Sequence, residues 1–111
     1  MILNWFNTKE VEKFANELAT EFGRRFPASE NISASPQRES RLRGAKDLMM
    51  SRTQVFAERN KLNLLKRAKL ANTLKWALRE QGHGAKTVDP LVMEVTRIVT
   101  LIRTSNARRN Q

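Results

Sequence analysis

Residues 61–81 read Lys-Leu-Asn-Leu-Leu-Lys-Arg-Ala-Lys-Leu-Ala-Asn-Thr-Leu-Lys-Trp-Ala-Leu-Arg-Glu-Gln, and Gly82 follows. Leu, Lys, Arg and Ala dominate, and each loses little side-chain freedom in a helix. Leu62, Leu65, Leu70, Leu74, Ala77 and Leu78 gather on one arc at helical spacing, against a basic remainder. A glycine after such a run is the usual stop, because it adopts the left-handed conformation of a helix C-terminus at little cost. The stretch predicts a helix over 61–81.

Upstream, Asn60 is a break, and Ser35 followed by Pro36 is a cap with a proline in the first turn. They bound a second predicted helix, 36–59, carrying Leu42, Ala45, Leu48, Met49, Val55 and Phe56. Residues 28–35 are small and polar and predict a flexible loop. Before them, Asn7 and Glu10 have the spacing of a capping box, and Phe6 and Val11 that of a hydrophobic staple. Val11, Phe14, Ala15, Leu18, Phe22 and Phe26 share one face, and Pro27 ends the segment, which predicts a helix over 7–26. Downstream, Asp89 and Pro90 repeat the cap-and-proline start. Leu91, Val95, Ile98 and Ile102 form a stripe, widened by Val92, Val99 and Leu101, over a predicted helix 90–104. Its β-branched residues suit a strand, but the spacing and start signal favour a helix. Residues 105–111 are polar and basic and read as a frayed tail. The expectation is an all-α protein, a small bundle of about four helices in one domain spanning 1–111.

The 111 residues include no cysteine, which excludes disulfides, thiolate metal sites and cysteine nucleophiles. No apolar run approaches the roughly 18 residues of a membrane span, and Met1 to Phe6 is too short for a signal-peptide core. A cytoplasmic protein is expected. The formal charge is +10, unevenly placed: residues 1–22 hold two Lys against four Glu, and residues 36–79 hold twelve Lys or Arg against three acids. A block this basic usually meets something acidic.

Catalytic chemistry finds little footing. The one histidine, His83, lies between Gly82 and Gly84. A glycine-flanked turn histidine makes a poor general base, because nothing orients it, and it reads as a solvated turn residue. Glu17 and Glu21 lie four apart and read as surface charges that attract basic neighbours. No glycine-rich phosphate loop and no histidine pair is present. No catalytic residue, metal site or cofactor is expected.

The basic block offers more. Arg38, Arg41, Arg43 and Lys46 crowd the start of the second helix, and Lys66, Arg67 and Lys69 the third. Such clusters neutralise phosphates, though a dense basic helix is often just a solvated face. Arg52, Arg59 and Lys66 are seven apart and align on a continuous helix, between Leu48, Val55 and Leu62 on one side and Met49 and Phe56 on the other. Three cations in an apolar stripe need acidic neighbours from the first helix, a bend near Asn60, or a partner. A helix–turn–helix over 68–81 and 90–104 is disfavoured by its eight-residue connection. Trp76 sits off the apolar arc; partial burial is the bland expectation, and exposure beside Lys75 and Arg79 would mark an interaction surface.

Two readings compete. The first is a small basic binding module that contacts DNA or RNA through phosphates, using Arg38, Arg41, Arg43, Lys46, Arg52, Arg59, Lys66, Arg67 and Lys69. The second is a protein–protein adaptor or homo-oligomer, with an acidic protein or a second copy as partner. A phosphate binder needs its cations exposed and contiguous; an adaptor needs exposed apolar surface.

Overall fold

Ser35 and Asn63 set the two central helices in place. Ser35 Oγ accepts from the Arg38 N–H at 3.0 Å, and Asn63 Oδ1 from the Lys66 N–H at 2.8 Å. Each side chain satisfies one of the amide donors a helix start leaves unpaired. The computed structural model describes residues 7–31 and 35–109. In chain order these form α1 (Lys9–Arg25), a 3-10 turn (Ala28–Asn31), α2 (Pro36–Arg59), α3 (Leu64–Glu80) and α4 (Ala85–Arg109). The fold is an all-α bundle of four helices, with no strand among the described residues.

Several predicted boundaries move. Helix α1 starts at Lys9 with Thr8 as cap; Asn7 instead accepts from the Lys9 N–H at 3.1 Å, so the capping box does not form. Phe6, and with it the predicted staple, lies outside the described residues. Part of the predicted loop is the 3-10 turn, and residues 32–34 lie outside the description. Helix α3 starts three residues later than expected, at the Asn63 cap.

Helix α4 departs most. It begins at Ala85 rather than Pro90 and continues to Arg109, through residues expected to fray. The Gly84 carbonyl opens it, accepting from the Thr87 and Val88 N–H groups at 3.0 and 2.9 Å. Pro90 therefore sits inside the helix and leaves the Lys86 carbonyl without its usual i+4 donor. Burial of Val88 offsets this, since Val88, Leu91, Val95 and Val99 form one buried stripe.

Side-chain contacts give the topology. Lys69 of α3 reaches Glu12 of α1 at 3.5 Å, and Gln81 Nε2 donates to the Ala19 carbonyl at 2.8 Å, so α1 and α3 run parallel. The missing side chain of Gly23 leaves room for the Gln81 amide. Helix α2 runs antiparallel to α1: Phe14 stacks on Phe56 at 3.9 Å between centroids, and Arg38 lies over Phe26 at 5.3 Å. Arg67 donates to Thr100 Oγ1 at 3.2 Å, which makes α3 and α4 an antiparallel hairpin. Helix α1 packs on α2 and α3, and α4 packs on both as well, so α2 and α3 lie diagonally opposite. One core joins Val11, Ala15, Leu18 and Phe22 to Met49, Leu70, Leu74, Leu78 and the α4 stripe. Helix α2 brings small residues, Ala45 and Ala57, and Thr53, whose buried hydroxyl donates to the Met49 carbonyl at 2.8 Å.

The α3–α4 turn has a specific geometry. Gly82 has φ +101°, its N–H donates to the Arg79 carbonyl at 2.9 Å, and the His83 N–H reaches back to the Leu78 carbonyl at 3.3 Å. This pair of bonds is a Schellman motif, which closes a helix through a left-handed residue. A Cβ at Gly82 would also meet the Ala28 Cβ at 3.3 Å, whereas one at Gly84 meets nothing within 4 Å. Gly82→Ala should therefore cost about 1–2 kcal/mol, and Gly84→Ala less, about 0.5 kcal/mol, since it meets no clash but alanine caps a helix start worse than glycine. Urea unfolding of both variants checks this; equal losses would contradict the turn geometry.

Candidate functional site

Several of the cations singled out from the sequence bond within the protein. Arg38 lies over the Phe26 ring and pairs with Glu39 at 2.8 Å, its side chain only 16% exposed. Arg52 pairs with Glu21 at 3.1 Å, Lys69 pairs with Glu12 at 3.5 Å, and Arg67 bonds Thr100. Arg41, Arg43 and Arg59 are exposed, while Lys46 and Lys66 are half-buried. The aligned stripe of Arg52, Arg59 and Lys66 does not form, because α2 ends at Arg59 and the chain turns through Asn60 before α3. Both structural resolutions operate, the bend and an acidic neighbour from α1. Arg52 and Arg59 instead line a shallow groove beside the Phe14–Phe56 stack.

Arg24, Arg25 and Arg41 are also exposed. Because Arg38 sits on Phe26, the start of α2 lies beside the end of α1, and these arginines gather at one end of the bundle. Glu21 partly neutralises them, 3.7 Å from Arg25 as well as 3.1 Å from Arg52.

His83 is not a solvated turn residue. It is 1% exposed, edge-on to Phe22 at 5.3 Å and stacked near Phe26 at 6.1 Å. The Schellman turn sends it inward, since the residue after the left-handed one turns back toward the apolar side of the helix it closes, where the rings of Phe22 and Phe26 lie. That placement is a usable signal, and the flanking glycines mask it. Desolvation holds the imidazole below its ordinary pKa, so it is a neutral core group.

The helix–turn–helix alternative fails on angle rather than length. The connection is four residues, 81–84, not eight. Yet Arg67 and Thr100, far from the turn on either helix, still touch, which requires a hairpin instead of a near-perpendicular crossing.

The largest departure concerns apolar surface. Trp76 is 55% exposed, not partly buried; its indole N–H donates to Asn72 Oδ1 at 3.2 Å, and Lys75 Nζ lies 5.5 Å from its ring centre. Leu101, expected to widen the core stripe, is 62% exposed, and Met93 61%. Leu64 and Leu65 are exposed on α3 as well. Met93, Arg97 and Leu101 follow one another at steps of four, off the buried stripe of α4. Together with Lys75 of α3 they line a shallow groove of about 570 Å³.

Among the described residues, no three His, Cys, Asp or Glu side chains cluster as a metal site requires, and no helix is long and apolar enough to cross a membrane. No protein-family model matches the chain, and no curated protein or solved structure matches it either.

The buried imidazole has a pH consequence. Above about pH 6.5 His83 is neutral in both folded and unfolded chains. Below it the unfolded chain takes a proton that the folded chain refuses, so stability falls as pH falls, by at most about 1.4 kcal/mol per unit. The thermal midpoint should drop between pH 7.5 and 5.5, and His83→Phe should flatten that drop. An identical profile in the variant would place the imidazole in solvent.

Proposed function

We propose that the chain is a small helical binding module that works by protein contact, presenting the outer face of its α3–α4 hairpin to another protein. One observation carries the reading: Met93 and Leu101 are each more than half exposed on one face of α4, beside a shallow groove that Lys75 of α3 also lines, and Trp76 is more than half exposed on α3. Large apolar side chains gathered on an otherwise charged surface are the usual mark of a contact site, and tryptophan is among the residues most enriched at energetic centres of interfaces. The fate of the cations supports it, since Arg52, Lys69 and Arg67 bond within the bundle. The reading assigns the chain no catalytic step. Met93→p-benzoylphenylalanine, irradiated in cells that make the protein, should give a discrete protein adduct that resists nuclease. The adduct should disappear with Leu101→Glu, and the same crosslinker at Arg43 should give none. No adduct at position 93, or one that nuclease removes, overturns the reading.

A second reading, phosphate contact with nucleic acid, is favoured by the gathering of Arg24, Arg25, Arg38 and Arg41 at one end. Titrating labelled duplex and single-stranded DNA at two salt concentrations tests it. On this reading affinity falls steeply with salt, and Arg24→Gln/Arg25→Gln/Arg41→Gln makes the log–log slope shallower by about 0.9 for each phosphate no longer neutralised. No binding at low salt sinks it.

A further inference from the structure

We infer that the occupant of the α3–α4 face is an acidic amphipathic helix of a partner protein. This rests on the protein-contact reading above and names the partner's chemistry. The geometry comes first. Met93, Arg97 and Leu101 form a ridge of apolar, cationic and apolar side chains on successive turns of α4. Eight residues separate its ends, which is roughly 12 Å of helix. Val92 and Thr96 floor the groove beside the ridge, and Lys75 closes it from α3 with its ammonium over Trp76. A ridge of this length along one face of α4 suits a helix laid beside it, which packs through apolar anchors at i, i+4 and i+7. The backbone groups of α3 and α4 are spent in their own helices, so an added strand finds no edge here.

Charge selects the kind of helix. Lys75 and Arg97 line the groove with Asp89; Arg79 lies one turn beyond Lys75 on α3, Lys86 two turns before Met93 on α4, and Glu94 lies 3.3 Å from Arg97. A second copy of the chain is a poor occupant. A two-fold dimer sets the same patch against itself, and each copy carries a net charge of +10. Acidic side chains flanking an apolar stripe meet this rim with complementary sign.

The test uses the full chain, isotope-labelled, and a synthetic helical peptide of roughly 16 residues, with Leu at i, i+4, i+7 and i+11 and Glu as its main polar residue. The amides around Met93, Arg97 and Leu101 should shift, with a dissociation constant on the order of 10 μM. Met93→Glu/Leu101→Glu should weaken binding roughly tenfold or more with unchanged helix content. Lys75→Glu/Arg97→Glu should switch preference to the same peptide with Lys in place of Glu. Equal binding of a peptide with the same composition but scrambled Leu spacing overturns the inference. So do shifts confined to α2, or equal shifts from phosphatidylglycerol vesicles. If the chain alone sediments as a dimer with these same signals moving with concentration, the occupant is a second copy. The acidic-helix inference then fails, while the protein-contact reading stands. Absence of both the peptide response and the position-93 protein adduct removes both.

Discussion

The packing of His83 against Phe22 and Phe26 is the contact on which the rest of the bundle leans. It depends on Gly82, the one described residue with positive φ, which turns the chain so that the next side chain points inward. Phe26 also carries the Arg38 guanidinium at the start of α2, and Gly84, one residue beyond His83, opens α4. The ends of α1 and α3 and the starts of α2 and α4 thus meet around one ring cluster. The imidazole is held there in its neutral form, because burying its charged form would cost far more. A residue that reads as a solvated turn histidine is therefore a packing element, and its titration concerns stability.

Local signals are legible where the physics is local. Ser35 and Pro36 announce α2 correctly because capping is settled within four residues of chain. Asp89 and Pro90 carry the same announcement and are wrong, because the core claims Val88 and the helix extends backwards to bury it. Val88 stands three residues before Leu91, in step with the stripe, so the pattern holds the answer that the proline obscures. Leu101 and Ile102 look equivalent in the sequence, yet one is exposed and the other half-buried. Which edge of a wide apolar arc is covered depends on the neighbour's position. The diagonal placement of α2 and α3, joined by a short connection, leaves no trace in periodicity.

The acidic first helix has a clear electrostatic place. Helix α1 touches both basic helices, and its carboxylates serve opposite flanks, Glu21 toward Arg52 and Glu12 toward Lys69. These pairs are substantially exposed, and such pairs contribute about 0–1 kcal/mol each. Their effect is on register and on the field, since they neutralise part of the basic block where α2 and α3 flank α1. Of the nine cations, Arg52 and Lys69 are thereby engaged by carboxylates of α1, which sequence spacing alone does not reveal.

The exposed apolar residues do not follow from a shortage of core positions. The back of α2 is polar, with Ser40, Asp47, Ser51, Gln54 and Glu58 all exposed. Helix α4 carries two apolar stripes, one buried at Val88, Leu91, Val95 and Val99, and a second, at Met93 and Leu101, that contributes nothing to the core. Helix α3 likewise turns Leu65 and Trp76 away from the buried Leu70, Leu74 and Leu78. Such stripes invite self-association, which a high like charge opposes. The charge of +10 and the apolar hairpin face then fit together. On the protein-contact reading, the basicity that suggests phosphate binding would keep such a surface apart from its own copies while leaving it open to a partner of opposite sign.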